Sequence, residues 1–266
     1  MQRKHRDAEG QFLAEGHQAV REALRRDPDG PGGVRALFVS PDAAGRHADL
    51  VAAAAALGVT VSAVNDAGMA GLSGTVTPQG IVAVCGYLDV PASEALDPAP
   101  RLSAVLYEIN DPGNAGTVLR TADAAGAGAV VFSDGSVDPY NGKCVRASAG
   151  SLFHPAVVRA ADLTEVLAAL RERGVRVLAA DGGGEADLDD ELDSGGLAGP
   201  TAWLFGNEAR GLPPDVAVLA DARVRIPIHG GAESLNLAAA AAVCLYASAR
   251  AQRRGTAQRR GTGGAP

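Results

Sequence analysis

Apolar residues fall into two alternating patterns along this chain. From residue 102 onward, short runs of Val, Leu, Ala and Phe at 102–109, 129–132, 156–158, 175–180, 201–205 and 224–228 read as strands. Between them, segments 114–125, 143–149, 163–173 and 235–250 carry apolar residues three and four apart, as amphipathic helices do. Strand alternating with helix predicts an α/β domain over 102–250, built on a mostly parallel sheet covered on both faces. Residues 1–90 predict a smaller α/β unit. Its helix is expected over 11–26, where Phe12, Val20 and Leu24 share a face, and a second, Ala-rich helix over 42–57. Strands are expected at 34–39, 59–64 and 81–87. Residues 91–101 hold three prolines and no periodicity, which reads as a linker. Residues 181–193 concentrate acids as a solvated loop would, and 251–266 read as a disordered basic tail rich in Arg, Gly and Thr.

Composition narrows the class. With 266 residues, 47% of them hydrophobic, the chain has material for two filled cores. No stretch approaches the ~18 apolar residues of a membrane span, and the first residues are polar and charged, unlike a secretory signal. Cys85, Cys144 and Cys244 are odd in number and widely spaced, fitting reduced core positions in a cytoplasmic protein better than a disulfide or zinc framework. The net charge of −7 argues against a nucleic-acid partner at first sight. Its distribution softens that objection. Arg3, Lys4, Arg6, Arg21, Arg25 and Arg26 cluster early, and Arg250, Arg253, Arg254, Arg259 and Arg260 occupy a tail without acids.

Three segments carry candidate chemistry. In residues 110–120, NDPGNAGTVLR, a Pro-Gly turn leads into a helix that Asn114 is placed to cap, and Gly116 and Arg120 share a face. A glycine beside an arginine on early turns offers a phosphate close backbone approach and a guanidinium fork, although a capped helix with a surface Arg explains the segment equally well. In residues 204–211, LFGNEARG, Glu208 sits just past a strand between two glycines, the position of a turn or of a site carboxylate. In the third, Ile226-Pro227-Ile228 precedes Ser234-Leu235-Asn236, where Ser234 is a credible helix cap and Asn236 lacks an obvious stabilising role. The Ala-rich run 238–242 leaves a smooth helix face suited to core packing or to a dimer contact. A dinucleotide fold would show GxGxxG after its first strand, and NDPGNAG does not match. Nor is there a GxxxxGK[ST] phosphate loop.

In this order and spacing, the three segments resemble the signature motifs of the SpoU/TrmH family of RNA ribose 2′-O-methyltransferases. Lys143, Arg146, Ser148, Gly150 and Phe153 are similar to that family's KxxRxSxGxxF stretch. Residues 12–24 and 77–84 resemble its accessory RNA-binding domain, which is like ribosomal protein L30e, so the likeness covers roughly residues 11–250. The resemblance implies a deep trefoil knot in the catalytic domain, S-adenosylmethionine bound within it, and a homodimer whose site draws on both subunits. By position, Gly206, Ile226 and Leu235 would contact the cofactor. Asn114, Arg120, Glu208, Ser234 and Asn236 match the family's catalytic and structural polar set. No metal is required. A guanidinium normally keeps its proton, so Arg120 is expected to clamp phosphate and orient the ribose, with the base left open. The expected substrate is RNA, in particular large-subunit (23S) rRNA. A tRNA substrate is the alternative within that reading, and a non-catalytic RNA-binding or ribosome-assembly role is the alternative outside it.

Overall fold

The computed structural model describes residues 2–75 and 77–261. Helix α1 (Arg3–Glu9) leads into β1 (Gln11–Glu15) and α2 (His17–Ala23), followed by β2 (Val34–Val39), α3 (Pro41–Arg46), α4 (Ala48–Ala56), β3 (Thr60–Ala63), α5 (Asp66–Leu72) and β4 (Ile81–Gly86). These strands form a four-stranded sheet in the order β1-β4-β2-β3, parallel only between β2 and β3. The helix expected over 11–26 is instead strand, then helix. Phe12 and Ala14 alternate inward against β4 at period two, and Gly16 breaks the strand with φ 92°. That alternation outweighed the longer helical spacing. The 42–57 helix is likewise two, interrupted at His47, whose backbone leaves the helical region at φ −122° and ψ 34°.

After α6 (Ala92–Ala95), the chain runs through β5 (Leu102–Leu106), α7 (Pro112–Ala125), β6 (Ala129–Ser133), α8 (Gly142–Ser148), β7 (Ala156–Ala161), α9 (Leu163–Glu172), β8 (Arg176–Ala180), β9 (Ala186–Asp187), α10 (Leu188–Asp193), β10 (Thr201–Phe205), α11 (Pro214–Ala217), β11 (Ala222–Arg225) and α12 (Leu237–Gly261). The seven strands lie in the order β7-β6-β5-β10-β8-β11-β9, and every pairing is parallel. Strands β5, β6 and β10 are buried on both faces, which explains their unbroken apolar runs. Helices α7 and α12 cover one face through Val118, Leu119, Ala241 and Leu245, and α9 covers the other through Val166, Leu167 and Leu170. The α/β architecture read from the pattern is therefore present.

Three segments are more ordered than their composition predicted. The proline-rich stretch includes α6 and the fully buried Leu96, packed into the second core. The acidic segment forms β9 and α10, with Leu188 buried. Helix α12 continues to Gly261, so residues 251–261 are helical; residues 262–266 of the expected tail lie outside the described residues. Ala251 and Gln252 are buried, and the Gln252 amide donates to the carbonyls of Arg101 and Gly199. Arg, Gln and Ala are all good helix formers, and a docked first turn gives the extension a template.

The two sheets share one apolar cluster. Phe12 packs on Tyr140 at 4.7 Å and on Phe153 at 5.9 Å, and Tyr87 stacks on Tyr140 at 4.2 Å. The Tyr140 hydroxyl accepts the amides of Leu88 and Asp89, each at 2.7 Å, and donates to the Asp89 carboxylate. Arg6 and Asp138 form a buried ion pair at 2.5 Å. His154 bridges Glu22 on α2 at 3.3 Å and Asp123 on α7 at 2.8 Å. Burial alone would lower the His154 pKa, but these two carboxylates outweigh it and raise it.

Two consequences follow for stability. Tyr140→Phe leaves two backbone amides without their acceptor, which should cost about 1–3 kcal/mol in chemical denaturation. For His154, a pKa raised by folding means its contribution is complete below the unfolded value of about 6.5 and lost as pH rises through the folded one. The melting-temperature advantage of the wild type over His154→Gln should thus shrink between pH 6 and pH 9. An advantage independent of pH would mean that packing, not charge, sets the effect.

Candidate active site

Register brings the loops together. Phe205 is level with Leu106 on one side and Ala180 on the other, so β5, β8 and β10 end side by side. The segments following them emerge at the carboxyl edge of the sheet, where parallel α/β folds hold ligands. Asn207, buried, organises the central loop. Its side-chain amide donates to the Glu108 carbonyl at 2.7 Å, and its oxygen accepts the amides of Ala209 and Arg210. Its backbone exchanges two hydrogen bonds with Gly211, at 3.0 and 2.8 Å. A Cβ on Gly206 would stand 2.4 Å from the Gly211 carbonyl carbon, so closure of this loop requires glycine there. Glu108 adopts the left-handed region at φ 47°, and its carboxylate pairs with Arg210 at 2.7 Å.

A hydrogen-bonded chain then crosses three loops. The Glu208 carboxylate accepts the amides of Asn110 at 3.1 Å and Asp111 at 3.0 Å, and the Asn114 side-chain amide at 3.3 Å. The Asn114 side-chain oxygen accepts from the Asn236 amide at 3.2 Å. The Asn236 oxygen in turn caps α12 by accepting the amides of Ala238 and Ala239. Two capping assignments change as a result. Asp111, not Asn114, caps α7, accepting the Asn114 amide at 2.8 Å. Asn236, not Ser234, caps α12, which begins at Leu237. In both cases the residue immediately before the first helical one is the cap, leaving Asn114 and Ser234 free for other contacts.

Beside this chain lies a cleft of about 300 Å³, bounded by the loops after β8 and β10 and by the segment leading into α12. Gly206, Glu208, Ile226, Ser234 and Leu235 line it, so five of the eight residues singled out by sequence share one cavity, and Asn114 and Asn236 join them through Glu208. Ile228 and Leu235 are 38% and 40% exposed at its edge. No backbone hydrogen bond ties residues 226–235 to other elements among the described residues, so their amides and carbonyls are available to a ligand. Arg120 does not line the cleft. It is exposed on α7, without a hydrogen bond or ion pair among the described residues.

Sequence reasoning assigned no role at this site to three contributors. Asp181 lines the cleft just past β8, a position legible only once the strand is known to end beside β10. Asn207 lay within a quoted motif without a role. Lys143 pairs with Asp111 at 2.8 Å, which, with the Asn114 amide, holds the Asp111 carboxyl below the usual range. The separation of 32 residues hid that pair. Among the described residues, no group of three or more His, Cys, Asp or Glu side chains is placed to hold a metal, and no helix is long and apolar enough to cross a membrane.

Residues 101–246 match the SpoU rRNA Methylase family. The chain belongs to that family. Residues 13–89 match the RNA 2′-O ribose methyltransferase substrate-binding family. The SpoU chain is 34% identical to the 23S rRNA (guanosine(2553)-2′-O)-methyltransferase RlmP of Bacillus subtilis, over 92% of this chain and 90% of that one. In structure it is similar to an AdoMet-bound rRNA methyltransferase from Sinorhizobium meliloti, with TM-score 0.79 and 32% identity over 94% of this chain and 90% of the other. It is also similar to the SpoU methyltransferase AviRb from Streptomyces viridochromogenes in complex with AdoMet, with TM-score 0.79 and 29% identity over 95% and 94%. This protein is an RNA 2′-O-ribose methyltransferase, and S-adenosylmethionine is its methyl donor.

The cleft fits that cofactor. Ile226, Ile228 and Leu235 offer apolar surface for a purine, the unpaired backbone of 226–235 offers donors and acceptors, and Asp181 and Glu233 offer carboxylates for hydroxyl and ammonium groups.

Asn207→Ala tests the loop that frames the cleft. It strips partners from two amides and a carbonyl, so it should destabilise the fold by about 1–3 kcal/mol and weaken S-adenosylmethionine binding measured by calorimetry. Unchanged cofactor affinity would separate the 206–211 loop from the cofactor site.

Proposed function

We propose that this methyltransferase acts on a ribose of 23S rRNA as a homodimer, with residues 1–90 recognising RNA, 91–101 connecting, and 102–250 performing transfer. The observation that carries the reading is the meeting of Glu208, Asn114 and Asn236 beside the cleft lined by Gly206, Ile226, Ser234 and Leu235. The 23S rRNA substrate named for the Bacillus subtilis relative supports the choice of RNA. The family's C-terminal trefoil knot is part of the proposal, because the loops lining the cleft are those that a knot would hold together. A non-catalytic role is disfavoured by the intact polar set.

S-adenosylmethionine supplies an electrophilic sulfonium methyl. The protein's task is to align a ribose 2′-oxygen with it and to dispose of one proton. Glu208, Asn114 and Asn236 are mutually satisfied, so they hold the loops in register and serve as positioning residues. The Ser234 hydroxyl, exposed at the cleft and without a partner among the described residues, is free to meet the substrate. Arg120 acts as a phosphate clamp that orients the ribose, its fork matching two oxygens at once. Because Arg120 lies outside the cleft of its own protomer, the partner's copy is assigned to it. Helices α7 and α12 pack side by side, and α12 exposes Ala239, Val243 and Tyr246 on one face, an apolar surface for a second copy.

Light scattering should give about twice the 26.8 kDa monomer mass. Arg120→Ala should retain S-adenosylmethionine affinity and lose methyl transfer to 23S rRNA. Mixing it with inactive Gly206→Val protomers should restore transfer, since one site of each heterodimer then combines an intact cleft with an intact Arg120. Failure to restore activity in verified heterodimers would place Arg120 and the cleft in the same protomer.

A further inference from the structure

A second cavity, of about 260 Å³, lies where β1 and the end of α5 meet the start of α8. Leu13 and Leu72 supply apolar lining, and Arg6, Lys143 and Arg146 supply three cations against the single carboxylate of Glu15. Each cation has a carboxylate partner, Asp138 for Arg6, Asp111 for Lys143 and Glu15 for Arg146, so the cavity gathers cations without a net positive charge. The cations differ in how firmly they are held. Arg6 is committed to buried Asp138. Arg146 reaches Glu15 and the Gly74 carbonyl only at 3.4 Å each, and Glu15 is shared with the hydroxyls of Ser73 and Thr75. The Arg146 guanidinium sits between two glycines, one from each sheet's side of the junction. A Cβ on Gly74 would lie 2.8 Å from it, and one on Gly142 would lie 3.3 Å away. Backbone retreats on both sides, leaving the guanidinium accessible within the cavity. The Asn141 side-chain nitrogen, also at the wall, has no partner among the described residues.

The cavity adjoins the reaction centre. Lys143, on its wall, bonds Asp111, whose backbone amide bonds Glu208. Asp111 thus joins the Glu208–Asn114 chain to the wall of this cavity, which makes the two neighbours. We propose that the junction cavity holds a nucleotide neighbouring the target in the same RNA strand, its phosphate on Arg146 and Lys143 and its sugar or base against Leu13 and Leu72. The inference rests on the reading of the protein as an RNA methyltransferase. It adds a subsite, built from both sheets, that grips the RNA next to the methylated position.

Leu72→Trp fills the cavity from its half-exposed rim, and Arg146→Gln removes its least committed cation. Filter binding to transcribed 23S rRNA reads the subsite, and methyl transfer by the wild type reads the proposed function separately. Each variant should bind RNA about tenfold more weakly, with melting temperature and S-adenosylmethionine affinity unchanged in Leu72→Trp. Arg146→Gln should also flatten the dependence of log affinity on log salt by about one unit, as loss of one phosphate contact requires. Wild-type RNA affinity in Leu72→Trp together with a wild-type salt slope in Arg146→Gln overturns the subsite. Absence of methyl transfer by the wild type on 23S rRNA overturns the substrate reading instead.

Discussion

One carboxylate, that of Glu208, holds this active site in one piece. It reaches from the loop after β10 to collect three N–H groups from the loop after β5 and the first turn of α7, residues separated by nearly one hundred positions in sequence. Two are backbone amides at the entry to α7 with no helical acceptor of their own, so the carboxylate satisfies donors that would otherwise need water. The third passes the connection through Asn114 to Asn236, and so to the start of α12. Three chain segments acquire a common reference point through side chains that are also helix-terminal devices. The same hydrogen bonds thus satisfy the helix entries and hold the three segments in place beside the cleft, so neither can be changed without disturbing the other.

Around this point the loops are made stiff in different ways. Between Asn207 and Gly211 the backbone closes on itself so tightly that position 206 has no room for a side chain. Glu108, on the neighbouring loop, is held in a left-handed conformation that non-glycine residues seldom adopt, fastened by the Asn207 amide and the Arg210 guanidinium. By contrast, residues 226–235 make no backbone hydrogen bonds to other elements among those described. The cleft therefore has two firm walls and one wall whose backbone polar groups are not tied to other elements among the described residues.

Much of this was legible in the sequence, for identifiable reasons. Strands buried on both faces announce themselves as unbroken apolar runs, so the parallel sheet was readable from β5 to β10. The glycine-bracketed motifs marked the cleft because loops that close tightly or face a ligand constrain composition. Misreadings occurred where two signals competed. Over residues 11–26, Phe12 served a period-two pattern and a period-3.6 pattern equally well until pairing with β4 decided between them. The basic tail looked disordered because nothing in its composition shows that Gln252 anchors its first turn to Arg101 and Gly199. The capping roles of Asp111 and Asn236 were displaced by plausible neighbours, since Asp, Asn and Ser are all good caps and only geometry chooses among them. Arg120 was singled out, but its place outside the cleft was not legible, because a motif records residue types and spacing without saying where the helix face that carries them points.

The shared core between the two sheets has a consequence for how a target is chosen. Tyr140, Phe12, Phe153 and Tyr87 interlock across the junction, and buried Arg6–Asp138 fixes it in register. The stretch 91–101 adds its own packed residue, Leu96, and so contributes no play. If residues 1–90 grip RNA as proposed, the molecule behaves as a caliper with fixed jaws. The nucleotide modified would then be set by its span from the gripped feature, measured through the folded RNA, and not by the identity of its base alone. A rigid gauge of this kind rejects an RNA of correct sequence folded to the wrong spacing.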